Sequence, residues 1–268
     1  MLHQLWTNIK INLKFYRRNR LLLGTAVFIS FVMGLSALPS LFTLSAAKHM
    51  KIIQGVFSQL SWFTFIITAG LAIMLISYHT RDRSVKMVFT KPCPPEAWIL
   101  SSFLSASLVS LLLYAGTLAI CSALFVAWDV PFQWGILYMT VNDFMSTIIL
   151  ISYMTFLAVL MHPLLALLFA VIFQGGTFFY IKLLLMGKAA NDGGLSVPLT
   201  LLKGLVDGIY LLLPSFSPFS GKTSKLYRSL RLDDANWEYL LLTFGYTVFV
   251  SALMYVLSVY FFKKKRLI

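Results

Sequence analysis

The longest stretch without a charged residue covers 144–181, which is 38 positions. Four further runs, 21–47, 52–80, 97–128 and 239–262, are equally free of Asp, Glu, Lys and Arg. A transmembrane helix needs about 20 consecutive apolar residues, whereas a barrel strand needs about 10 in strict alternation. These runs are continuous, so the sequence predicts an all-α integral membrane protein. As a single helix the longest run would measure roughly 57 Å, against about 30 Å of hydrocarbon. It has to fold back, and Met161-His162-Pro163 is the natural corner, because proline disfavours helical geometry at the residue before it. Six spans follow, at about 21–44, 54–79, 98–127, 138–161, 164–186 and 239–262.

Composition agrees. The chain is 59% hydrophobic and 12% charged, whereas soluble domains sit near 45–50% and about 25%. That excludes a soluble enzyme, a disordered tail and a disulfide scaffold. Cys93 falls in a polar loop and Cys121 inside a span, so no disulfide framework is implied.

Residues 2–17 read as an amphipathic helix, with Leu2, Leu5, Trp6, Ile9, Leu13 and Tyr16 on one stripe and Lys10, Lys14 and Arg17 largely off it. The expectation is an interfacial helix over 1–20 before the first span. That span is expected to be uncleaved, because its apolar stretch exceeds the 7–15 residues of a signal peptide's apolar region. Of the 22 basic residues, thirteen lie in 1–20, 81–97 and 263–266. Excess Lys and Arg mark the cytoplasmic side, which puts both termini there in a multi-pass plasma-membrane protein. The seven basic residues of 182–238 belong to one long outer loop, where the rule is weakest. The net charge of +13 then needs no nucleic acid. Trp98, Trp128, Trp134 and Trp237 fall near span ends, as an aromatic belt requires. Within the outer loop 187–238, residues 199–213 are apolar but too few to cross. An interfacial or re-entrant helix stopped by Pro214 and Pro218 fits them. The chain 1–268 reads as one transmembrane domain.

Chemistry-bearing motifs are few. Gly221-Lys222-Thr223 resembles the end of a phosphate-binding loop, but Phe216 stands where that loop needs glycine. The stretch Lys91-Pro92-Cys93-Pro94-Pro95 offers one thiol, too little for a metal, and reads as a rigid loop. His3, His49, His79 and His162 are scattered, and no nucleophile–base–carboxylate set is evident. Neither an enzyme nor a resident cofactor is expected. Asp143 is the one acid inside a predicted span, and intramembrane acids are functional by default. It also lies about a turn from that span's outer end, beside Asn142, where it could snorkel; both readings stay open. The small residues Ser102, Ala106 and Ser110 would let the third span pack closely on a neighbour.

The inner loop 81–97, RDRSVKMVFTKPCPPEA, is short and carries charge of both signs at Arg81, Asp82, Arg83, Lys86, Lys91 and Glu96. Val85, Val88 and Phe89 give it an apolar side, enough for a short helix along the membrane. A simple inter-span loop is the alternative. Here the sequence resembles the permease subunits of type-2 ABC exporters, with Lys91-Pro92 and the step Glu96-Ala97-Trp98-Ile99-Leu100. Ser101-Ser102 replace the family's Gly-Lys. The stretches Leu213-Pro214-Ser215-Phe216-Ser217-Pro218-Phe219 and Lys264-Lys265-Arg266-Leu267 are similar to further family features.

The resemblance implies a permease that pairs with a second copy or homologue and with separately encoded ATPase subunits. ATP would be used by those partners, and residues 81–97, including Pro92, would form the coupling element. A non-transporting membrane enzyme or assembly factor, and an ion-coupled transporter using Asp143, are the alternative readings.

Overall fold

The computed structural model describes residues 2–18, 46–81, 94–162, 165–166, 201 and 237–266. Among them the chain is all-helical. Five long helices follow in order: α1 (Leu2–Arg18), α2 (Ala46–Arg81), α3 (Pro95–Ala127), α4 (Gly135–Leu160) and α5 (Trp237–Arg266). All but α1 are long and apolar enough to cross a membrane, so the protein is membrane-embedded. The spans expected at 21–44 and 164–186, and the re-entrant helix at 199–213, lie outside the described residues, apart from Leu165, Ala166 and Leu201.

Local sequence accounts for the helix ends. Pro95 occupies the first helical position of α3, where a missing N–H costs nothing and the fixed φ suits the helix. Glu96 adds an acid to the positive end of the helix dipole. At the other end Trp128 is the cap, Asp129 takes the left-handed conformation (φ 50°), and the Val130 and Asp129 N–H groups donate to the Phe125 and Val126 carbonyls. This is a Schellman stop, completed by the shared packing of Phe125 and Val130. α4 begins at Gly135, three residues before its expected start, and ends at Leu160 with Met161 extended, directly at the expected corner.

The helices pack in a definite direction. Ile53 and Phe57 of α2 meet Cys121 and Phe125 of α3, while Ile76 meets Trp98 and Ile99. Those two helices are therefore antiparallel. Ile53 and Phe57 also meet Ile136 and Met139, and Ile76 meets Ala158 and Val159, so α4 runs parallel to α2. Tyr138 stacks edge-on to Trp237 near one end and Phe156 to Phe261 near the other. Thus α5 is parallel to α4, although it follows it in sequence. α4 finishes and α5 starts at opposite ends of the bundle.

The amphipathic reading of α1 holds, with a shift of face. Ile9, Asn12 and Tyr16 are buried, whereas Trp6 is half exposed under the Lys10 ammonium. Asn12 donates to Ser105 of α3 (3.3 Å), and the Tyr16 hydroxyl donates to the Leu71 carbonyl of α2 (3.2 Å). Burial pushes the Tyr16 phenol above its ordinary range, so it remains a neutral donor. Ser102, Ala106 and Ser110 are all buried, as close helix packing requires.

Candidate functional site

Two places concentrate polar contacts between helices. The first surrounds Asp143. The Ser61 hydroxyl of α2 donates to its carboxylate at 2.5 Å. Thr147, one turn along α4, donates to the Asp143 backbone carbonyl at 2.9 Å. Its single proton is thereby used, so the Tyr114 hydroxyl of α3, 2.8 Å away, must donate to Thr147. Three helices thus converge on one acid. Ser61 and Tyr114 both lie near the middle of helices spanning Ala46–Arg81 and Pro95–Ala127. Asp143 itself is the ninth residue of α4, about 12 Å along its axis. In this structure it turns inward to partners at mid-helix rather than towards a helix end.

The second place is the end of the bundle where α2 stops and α3 begins. Glu96 forms an ion pair with Lys263 of α5. The Tyr255 hydroxyl donates to the Glu96 carbonyl at 3.2 Å. Trp98, next in line, is buried with its ring centroid 5.4 Å from that of Phe262. Around this pair gather Ile76 of α2, Ile99 of α3 and Ala158 and Val159 of α4. The first turn of α3 is therefore fastened to the ends of three other helices. Trp98 was grouped by sequence with the aromatic belt; the structure places it inside the bundle, because Phe262 and Val159 fill the position where lipid would otherwise lie against the ring.

Of the residues expected to form the coupling segment, Glu96 is brought into this fastening. Arg81 is the last residue of α2, and Asp82, Arg83, Lys86, Lys91 and Pro92 lie outside the described residues. Lys263, Tyr255, Ser61, Tyr114 and Thr147 were not singled out by sequence. A signal existed for the hydroxyls: Ser61, Thr64 and Thr68 recur on one face of α2, as Ser110, Tyr114 and Thr117 do on α3. Nothing in the sequence pairs one face with the other. Among the described residues no group of three or more His, Cys, Asp or Glu comes together, and Cys121 is a buried free thiol. No protein-family model matches the chain, and no curated protein matches it.

Proposed function

We propose that this chain is the membrane permease subunit of an ATP-driven exporter of the type-2 ABC class, powered by separately encoded ATPase subunits. The observation that carries the reading is the fastening of Glu96 and Trp98 to the ends of α2, α4 and α5. The segment 82–94 joins α2 to α3 there. A push on that segment from a cytosolic partner would be delivered to four helices at once, which is what a coupling element has to do. Its mixed charges at Asp82, Arg83, Lys86 and Lys91, with Arg81 at the end of α2, suit a polar protein partner better than a lipid surface.

Topology supports the finer architecture. The start of α5 lies at the opposite end of the bundle from the finish of α4. Tyr16 of α1 packs on Leu71 and Leu75, near the end of α2 rather than its start. Two further crossings, at 21–44 and 164–186, account for both facts. Six spans with both termini on the cytoplasmic side of the plasma membrane then follow, and a second copy or homologue would complete the substrate path.

Two measurements test the reading. Affinity purification of the chain from its native membrane should bring down an ATPase subunit, while the chain alone binds no ATP. Reversing charge together at Arg81, Arg83 and Glu96 should abolish ATP-driven transport in reconstituted vesicles while leaving membrane insertion intact. Transport that survives the triple reversal would sink the coupling role.

A further inference from the structure

A charged strip without a counter-charge runs along α1. At 3.6 residues per turn Lys10, Lys14 and Arg17 share an arc about 60° wide, and all three are exposed. The arc is turned away from Ile9, Asn12 and Tyr16, which are buried against the bundle. Apolar residues border it on both sides, Trp6 at 52% and Ile11 at 54% exposure. The Lys10 ammonium lies 5.4 Å from the centre of the Trp6 ring.

No acid precedes Asp82 in the chain, so neither α1 nor α2 supplies a counter-charge. Glu96 of α3 is engaged by Lys263, and Asp143 of α4 by Ser61. Asp129 and Glu238 lie at the opposite end of the bundle, next to Val130 and Trp237. The strip therefore draws its negative charge from outside the described bundle.

The level at which α1 docks points to the source. α3 holds 33 residues, about 50 Å of helix against about 30 Å of hydrocarbon. Trp128 caps it and exposed Trp134 follows, the residue type that anchors a span among the headgroups. Counted from Trp128, the hydrocarbon ends after about 20 residues, near Leu108. α1 is joined to the bundle at this level: Asn12 donates to Ser105, and Tyr16 packs among Leu71, Leu75 and Val109. The cationic arc thus lies at headgroup depth.

We infer that this arc is a binding surface for acidic phospholipids, whose net negative headgroups pair with Lys10, Lys14 and Arg17. A lipid layer fits better than an acidic protein, because it satisfies the charges and the bordering Trp6 and Ile11 together. Attraction of basic residues to an acidic leaflet adds to burial of apolar flanks at the acyl boundary. The inference does not rest on the exporter reading.

The test places the purified full-length chain in phosphatidylcholine nanodiscs into which phosphatidylglycerol of the same acyl chains is titrated. Amide hydrogen exchange of residues 2–18 reports on α1, and spin-labelled phosphatidylglycerol reports on the lipid. Exchange in α1 should slow saturably with phosphatidylglycerol, and the labelled lipid should be immobilised more than its phosphatidylcholine counterpart. Lys10→Gln, Lys14→Gln and Arg17→Gln together should abolish both effects, and each alone should weaken the apparent affinity about fivefold. The pair Lys10→Arg and Lys14→Arg should keep them, which separates charge from folding. In 1 M salt, where the screening length falls to about 3 Å, the effects should vanish. A response that persists in the triple variant would overturn the inference. So would an α1 that ignores phosphatidylglycerol: cross-linking of α1 to a protein in the native membrane would then make the arc a protein-docking face, and its absence a solvated one.

Discussion

Replacing Trp98 by alanine removes the centrepiece of the fastening between α3 and the ends of α2, α4 and α5. Trp98 is 3% exposed, packed on Phe262 and surrounded by Ile76, Ile99, Ala158 and Val159. Truncating a buried Trp in a packed interior costs about 3–5 kcal/mol. Within a bilayer the loss comes from dispersion contacts and the cavity rather than from transfer out of water, so the lower figure, about 3 kcal/mol, applies. For a chain of this size that is a fall of roughly 6–12 °C in the unfolding midpoint. The neighbouring Glu96–Lys263 pair has side chains 31% and 54% exposed, and such pairs contribute only about 0–1 kcal/mol. Trp98→Ala should therefore destabilise at least about three times as much as Lys263→Ala. A double-mutant cycle with Phe262→Ala should return about 0.5–1.5 kcal/mol for the aromatic pair. Thermal unfolding of the four proteins in one detergent measures it. Additivity within about 0.5 kcal/mol, or a Lys263→Ala cost equal to that of Trp98→Ala, would refute the argument that packing rather than charge holds this end together.

Further outcomes follow from single contacts. Asp129 sits at φ 50° in the stop after α3, so Asp129→Gly should be neutral or stabilising by up to about 1 kcal/mol, while Asp129→Val should destabilise by at least as much; unfolding midpoints decide it. Tyr16→Phe removes the bond to the Leu71 carbonyl and should cost about 0.6 kcal/mol, whereas Tyr16→Ala empties the buried site among Leu71, Leu75 and Val109 and should free α1 to limited proteolysis. Thr147→Val strands the buried Tyr114 hydroxyl and should cost more than Tyr114→Phe, which removes the donor itself, by about 1 kcal/mol or more. In a Cys93→Ser background, buried Cys121 should resist maleimide until the protein unfolds. Fast labelling of the folded protein would contradict the packing of α2 on α3.

Much of the fold was legible because membranes impose one-dimensional rules. Uncharged runs of sufficient length must be helices, since hydrocarbon offers no partner for an unpaired backbone group. The corner at 161–163 acts on its own neighbours, so α4 stopped at Leu160 where sequence put it, whereas α3 and α4 each began three residues before the expected 98 and 138. The depth of Asp143 was less legible. Its distance from the end of its own helix suggested a snorkelling alternative, and only its partner Ser61 on α2 shows it turned towards a neighbouring helix.

By itself, then, the amino-acid order determined that this is a helical membrane protein, where four of its long helices run, and that α1 is amphipathic. The tertiary structure alone decided which faces meet: that α5 lies parallel to α4, that Trp98 belongs to the interior, that Lys263 answers Glu96 across 167 positions of sequence, and that Asp143 takes a hydrogen bond from Ser61 of α2. The physical reason is that hydropathy and backbone preference are properties of neighbouring residues. Contacts between helices depend on how each is turned about its axis and shifted along it, and the interlocking of many side chains fixes both at once.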